Sequence, residues 1–381
     1  MIKLKQTKIQ DFDFFYLLSC GLNNKAPDKT SLSGMDLDYI FKISESHSVE
    51  PVITYALETV GLADKKWLDS KNNAIRKNML FDMERAKVIS FMENNEIANM
   101  PLKGVILKDL YPKPGMRKMA DNDIWFDESK ADLLESFMRS LGYEDVEKEA
   151  GCHDVYTRPP VYNFEMHRRL FNSATPDKII NYYSDIYPLL KKDENKKFGY
   201  TFSKEDFYIY ITAHEYKHFT NAGIGVRALL DCWVYVKKYG DTLDWKYIKK
   251  VTDKLDMTEF EQTRRKLAQN LLSNADEIKL DKDQTELLKI YMYSATYGTF
   301  ESRMSNKVRK LQGDNSKITF KSKITYFWKW CFPNREAYRD EYPFIYKHKI
   351  LLPFGVVPRV FKALVYRRKK LKNKIDILRK M

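Results

Sequence analysis

The segment Arg117-Lys118-Met119-Ala120-Asp121-Asn122-Asp123-Ile124-Trp125-Phe126 decides how this chain is read. Its end is an apolar, strand-like run, and Asp121 and Asp123 stand two apart at its start. In a strand that spacing sends both carboxylates to one face. Like charges held roughly 5–7 Å apart repel each other unless a cation neutralises them. Mg²⁺ suits such donors, because it takes carboxylate oxygens and keeps positions open for substrate phosphates. The alternative is an exposed turn, since Asp-Asn-Asp is also loop chemistry.

Working upstream, Pro101-Leu102-Lys103-Gly104-Val105-Ile106-Leu107 reads as a strand end, a Lys-Gly pair and a helical pattern. Amide groups at that helix start, with Lys103 beside them and Gly104 permitting close approach, form a phosphate seat. A simple turn is the other reading of Lys-Gly. Downstream, Tyr162-Asn163-Phe164-Glu165-Met166-His167 places Glu165 in an alternating segment. A third carboxylate from a neighbouring strand completes a site for phosphoryl chemistry on two metal ions. Against that stands a surface pairing of Glu165 with Arg168 or Arg169.

Farther out, apolar residues at three- and four-residue spacing predict helices over 12–22, 37–44, 51–60 and 67–92. Residues 97–170 change character. Short apolar runs at 97–102, 123–126, 155–158 and 162–166 alternate with helical patterns at 104–110 and 129–141. Ser129 is the expected N-cap of the second and Gly142 its stop. That order predicts a small α/β unit of about 75 residues. Helical patterns return at 176–187, 204–219, 226–239, 245–254, 257–272 and 284–297. The expected fold class is therefore α+β, with a small mixed sheet embedded in a predominantly helical protein. The expected organisation is a helical region 1–95, a sheet-bearing unit 96–172, a helical domain 173–298 and a basic region 299–381.

The 381 residues carry a formal net charge of +14, but residues 301–381 hold 22 Lys/Arg against 6 Asp/Glu. The first 300 residues are thus close to neutral. Within 358–381, Arg359, Lys362, Arg367, Arg368, Lys369, Lys370, Lys372 and Lys374 interleave with Val360, Phe361, Leu364, Val365, Leu371, Ile375 and Leu378. Such an amphipathic basic helix fits an anionic membrane surface, an RNA backbone or a partner protein. Packing of its apolar stripe on the body is the plain alternative. Four scattered cysteines (Cys20, Cys152, Cys232, Cys331) support neither a disulfide framework nor a zinc ribbon. The N-terminus does not read as a secretory signal, and no apolar run approaches a membrane span. A cytoplasmic protein is expected, with peripheral membrane association through 358–381 as an added possibility.

The motifs Leu102-Lys103-Gly104, Tyr111-Pro112-x-Pro114, Arg117-x-x-x-Asp121-x-Asp123 and Glu165-x-His167-x-x-Leu170 together resemble a poorly characterised nucleotidyltransferase family of the polymerase-beta-like superfamily. The resemblance continues in Arg227-x-x-x-Asp231, Phe332-Pro333, Tyr338-Arg339, Tyr342-Pro343 and Leu351-Leu352-Pro353. It implies a nucleotidyltransferase palm with Asp121, Asp123 and Glu165 as catalytic metal ligands. It also implies that Lys103-Gly104 takes the place of the Gly-Ser carried by many superfamily members. Asn122 departs from the apolar residue the family favours between the aspartates, and its side chain should face away from the metals.

His214-Glu215-Tyr216-Lys217-His218 reads H-E-x-x-H, the zinc-protease helix. The extended form would need Gly at 221 and His at 224, where Asn221 and Ile224 stand. The preferred reading puts His214, Lys217 or His218 in a nucleotide cleft or in ordinary helix contacts. Arg227 and Asp231 are expected to pair at i, i+4, with Arg227 as a triphosphate contact. His153 and His167 are weaker candidates for the surroundings of a metal, and Cys152 has no sequence partner suggesting a nucleophile.

The leading expectation is a Mg²⁺- or Mn²⁺-dependent transferase that moves a nucleoside monophosphate from an NTP to a hydroxyl-bearing acceptor. Lys103, Gly104, Lys217 and Arg227 would bind the nucleotide. The alternatives are a catalytically silent binding protein on the same fold and an RNA-modifying transferase docked by its basic tail.

Overall fold

The computed structural model describes residues 9–150, 152–221, 223–273, 278–294, 343–348 and 354–355. The helical segment expected at 358–381 lies outside them. The N-terminal helices are α1 (Ile9–Leu22), α2 (Lys29–Leu32), α3 (Leu37–His47), α4 (Glu50–Glu58) and α5 (Lys65–Asn94). α5 starts because the Asp64 side chain accepts from the amides of Lys66 and Trp67. Its buried positions Trp67, Ala74, Asn78, Phe81, Glu84, Val88 and Met92 recur at three, four or seven residues, which lays one stripe on the core.

The sheet follows. Its strands are β1 (Asn99–Pro101), β2 (Asn122–Phe126), β3 (Glu144–Ala150), β4 (His153–Arg158) and β5 (Tyr162–His167), in the order β1-β2-β5-β4-β3. β2 and β5 run parallel and the other pairs antiparallel, so the sheet is mixed. Between β1 and β2 lies the single-turn helix α6 (Gly104–Leu107), followed by a 3₁₀ turn at Lys108–Leu110. Helix α7 (Ala131–Ser140) joins β2 to β3. Ser129 does not cap it: Ser129 sits inside a 3₁₀ turn, Glu128–Lys130, and gives its amide to the Asp127 side chain. Gly142 does stop it, at φ +80°, where its amide closes on the Arg139 carbonyl.

Alternation sorts the sheet faces. Ile124, Phe126, Tyr156, Phe164 and Met166 join Val88 and Met92 of α5 and Leu134 and Met138 of α7 in one buried cluster. The odd-numbered residues Asp123, Trp125, Glu165 and His167 face the other way. Asn122 is fully buried on the α5 side, where it accepts from Arg85 and donates to the Phe81 carbonyl. A polar residue is tolerated there because both ends of its amide have partners.

After the sheet come α8 (Asp177–Tyr182), a short hairpin β6–β7 (Leu190–Lys192 and Tyr200–Phe202), α9 (Lys204–Asn221), α10 (Arg227–Tyr239), α11 (Trp245–Lys254), α12 (Thr258–Leu272) and α13 (Lys282–Ser294). The expected helix over 176–187 is thus shorter, and the hairpin was not foreseen. α1, α4, α9, α10 and α12 contribute to one large apolar core that also takes Trp125 from the sheet. The Ser19 hydroxyl donates to the Leu272 carbonyl across that core. The carboxylate face of the sheet therefore looks into a wall of helices.

Candidate active site

Parallel pairing puts Asp123 of β2 directly beside Glu165 of β5, and Trp125 beside His167. His153 of β4 pairs with His167 from the other side. Because paired residues share a face, Asp123, Glu165, His167 and His153 form one continuous polar patch. Asp121 stands immediately before β2 and lines the same cavity, of about 330 Å³. Lys103, Gly104, Arg117, His214, Lys217, His218, Arg227 and Asp231 also line it. All seven residues expected at the site from sequence thus share one cavity. Within it, Asp123, Glu165 and His167 bring their ligand atoms within 4.8 Å of one another.

Asp123 is 3 % exposed and is the electrostatic pivot. Its Oδ1 accepts from Lys103 Nζ at 2.7 Å and lies 2.8 Å from His167 Nε2. Burial pushes the Asp123 carboxyl up, but Lys103 and His167 outweigh it and hold the group well below the usual carboxylate range. Its neighbours go the other way. Burial, then the charge on Asp123, lifts Asp121 to about 6 and Glu165 to about 8. Burial and the nearby Lys103 ammonium bring His167 down to about 4, so its ring is neutral at pH 7. The raised Asp121 and Glu165 carboxyls mean that the three carboxylates do not all ionise freely here without a further cation. Oxygen donors in that state are the donor set a hard divalent cation fits.

Lys103 has φ +42° and ψ −115°, a backbone conformation in which glycine is at home. Holding a lysine there costs on the order of 1–3 kcal/mol, and the turn aims the amine at Asp123. The expected phosphate seat at the start of α6 is smaller than sequence suggests, since four residues sum only a weak dipole. Gly104 has a different task. A Cβ on it would come within 2.3 Å of Arg117 Nη1 and 3.1 Å of Met119 Sδ. Arg117 is itself fixed by Asp231, with Nε at 2.8 Å from Oδ1 and Nη2 at 3.0 Å from Oδ2. Gly104→Ala is therefore expected to cost about 1–3 kcal/mol, read as a lower denaturation midpoint in urea.

The Arg117–Asp231 bond corrects the expected Arg227–Asp231 pair. Asp231 takes its two-pronged bond from Arg117 and a third from the Tyr111 hydroxyl, while Arg227 donates to the Lys118 carbonyl. The structure also closes the H-E-x-x-H reading. Glu215 points into the core, where Arg264 Nη1 donates to it at 2.6 Å and the Tyr291 hydroxyl also donates. His214 and His218 meet at 3.4 Å between Nε2 atoms, and burial drives His214 well below the ordinary histidine range. Lys217 on the same helix is likewise lowered, mainly by burial. His167 has a more central place than its sequence suggests. The signal was present: it stands two residues beyond Glu165 on the same strand.

A small mixed sheet with aligned acidic residues on parallel neighbours, in a mostly helical chain, is consistent with a nucleotidyltransferase fold. Residues 33–273 match the family model described as uncharacterised nucleotidyltransferase, and the chain belongs to that family. The motifs at 332–353 lie beyond the matched region. No curated protein and no solved structure matches the chain. No helix among the described residues is long and apolar enough to cross a membrane.

Proposed function

We propose that this protein transfers a nucleoside monophosphate from an NTP to a hydroxyl-bearing acceptor, with release of pyrophosphate. The observation that carries this reading is the in-register Asp123–Glu165 pair, with Asp121 beside it in the same cavity. Asp121, Asp123 and Glu165 would hold Mg²⁺ or Mn²⁺. When bound, such a cation supplies charge neutralisation for phosphate oxygens and acidifies a hydroxyl. In the metal-free protein Glu165 is lifted to about 8, so it would take up its role, as cation ligand or as base for the acceptor's proton, as pH rises through that range. Lys103, Lys217 and Arg227 face the same space and would bind the triphosphate oxygens. The buried Arg117–Asp231 bond would hold the loop before β2 in place while the nucleotide enters.

The test combines labelled NTP, Mg²⁺ and a panel of hydroxyl acceptors. Pyrophosphate release should require the cation and should rise with pH between about 6 and 8. The sign follows from the shifts: Asp121 and Glu165 are raised, so they lose their protons and become cation ligands as pH climbs through 6 and then 8. Glu165→Gln should cut the rate by about 10²–10⁴-fold. One observation favours a second reading, a silent nucleotide-binding protein: Asp123 is already satisfied by Lys103 and His167. Nucleotide binding with no pyrophosphate release across the panel would select it.

A further inference from the structure

The carboxylate cluster has a neighbour with different chemistry. Cys152 lies in the turn between β3 and β4 and is 4 % exposed. Its carbonyl accepts from the amides of Arg168 and Arg169, at 2.9 and 3.1 Å, which clamps the turn against the end of β5. That clamp sets the Cys152 thiol 3.4 Å from His153 Nδ1. Together with His167, the thiol and ring nitrogens form a second group whose ligand atoms all lie within 4.8 Å of one another.

His167 supplies the independent observation. Its Nε2 lies 2.8 Å from the Asp123 carboxylate, which already accepts from the Lys103 ammonium. An ionised carboxylate can only accept, so Nε2 carries a hydrogen toward it. Nδ1, the other ring nitrogen, is buried on a residue 2 % exposed and has no hydrogen-bond partner among the described residues. A buried polar nitrogen left without a partner is costly unless something binds it. A histidine that gives one N–H to a carboxylate and keeps the other nitrogen free has the arrangement of a metal-ligating imidazole with its outer-shell partner.

We propose that Cys152, His153 and His167 form a site for a borderline-soft divalent cation of the Zn²⁺ class, separate from the carboxylate site but sharing the His167 ring. The chemistry of the donors selects the ion: one sulfur and two imidazoles favour Zn²⁺ over Mg²⁺, which takes oxygen. One edge has the right length: with Zn–S near 2.3 Å and Zn–N near 2.0–2.1 Å, a tetrahedral S–N edge is about 3.5 Å, close to the 3.4 Å between Cys152 Sγ and His153 Nδ1. Binding displaces the thiol proton to solvent and leaves the cation one thiolate, two neutral imidazoles and an open fourth position. A cation on Nδ1 draws charge from the ring and makes Nε2–H a stronger donor to Asp123. The site therefore reaches the carboxylate cluster through a single imidazole. None of this depends on nucleotidyl transfer, because the ligand set stands on geometry alone.

The experiment loads the full-length protein with Co²⁺ as a spectroscopic stand-in for Zn²⁺. The expected result is one equivalent of Co²⁺ with a thiolate-to-metal charge-transfer band, displaced by Zn²⁺ and untouched by excess Mg²⁺. Cys152→Ser should abolish the band. His153→Ala should weaken Co²⁺ binding by more than the roughly 10–100-fold that loss of an outer-shell partner costs. Asp121→Asn should keep the band, which separates this site from the carboxylate site. A wild-type protein with no charge-transfer band, or a band unchanged in folded Cys152→Ser, overturns the proposal. The second arm also covers Cys20, Cys232 and Cys331, the other thiols of the chain.

Discussion

Asp123→Asn is expected to lose about 3–5 kcal/mol of folding stability, whereas Asp121→Asn is expected to gain stability in metal-free protein. The two aspartates differ in what surrounds them. Asp123 is the counter-ion of Lys103 and the acceptor of His167, so its neutralisation leaves a buried ammonium without a counter-ion at hydrogen-bond distance among the described residues. Asp121 is lifted to about 6 by burial and by Asp123, so the native state holds it as a charge it would rather neutralise. The linkage sign agrees. A carboxyl raised in the folded state binds more protons there than when unfolded. Its contribution therefore erodes as pH rises from about 4 to about 6. Removing it should add on the order of 1–3 kcal/mol at pH 7. Both variants should lose Mg²⁺-dependent NTP binding. Urea denaturation at pH 7 with and without Mg²⁺ separates the cases, and two variants shifted equally in the same direction would sink the assignment.

Arg264→Met should be nearly as damaging, for a reason unrelated to chemistry at the cavity. Arg264 is fully buried on α12 and donates to Glu215 and to the Thr212 hydroxyl, both on α9. Without it, Glu215 remains in the core with the Tyr291 hydroxyl as its one remaining hydrogen-bond partner among the described residues. Stranding one half of a buried ion pair costs about 3–5 kcal/mol. In a chain of 381 residues that lowers Tm by about 4–6 °C. Glu215→Leu combined with Arg264→Met should recover much of the loss, since an apolar pair needs no desolvation repaid. A thermal scan of both variants decides the matter. Equal losses in the single and the double variant would mean that packing volume, not stranded charge, sets the penalty.

Much of this molecule was readable because two periodicities do not overlap. The long α5 announced itself by the spacing from Trp67 to Met92. β2 and β5 announced themselves by alternation, and alternation also put Asp123 and Glu165 on the face opposite Ile124 and Phe164. β3 escaped because Glu144-Asp-Val-Glu-Lys-Glu-Ala is too charged to read as a strand. It is an edge strand of the sheet. The β6–β7 hairpin escaped because its strands have only three residues each. At the site, residue identity was legible but partnership was not. Arg117 and Asp231 are 114 positions apart, and no local pattern connects them. The i, i+4 rule offered Arg227 instead, and the tertiary contact won. The one-turn length of α6 was hidden for a related reason, since Val105, Ile106 and Leu107 continue an apolar pattern that the 3₁₀ turn then interrupts.

The Lys103 turn sets two demands on one residue that no single amino acid meets without strain. The main chain there would relax with glycine, while the carboxylate beside it wants an ammonium. Drift at this codon is thereby channelled: a descendant that takes glycine gains a comfortable turn and must recruit its positive charge from elsewhere on the cavity wall. Lineages that keep the lysine must keep the surrounding fold stiff enough to hold it in place.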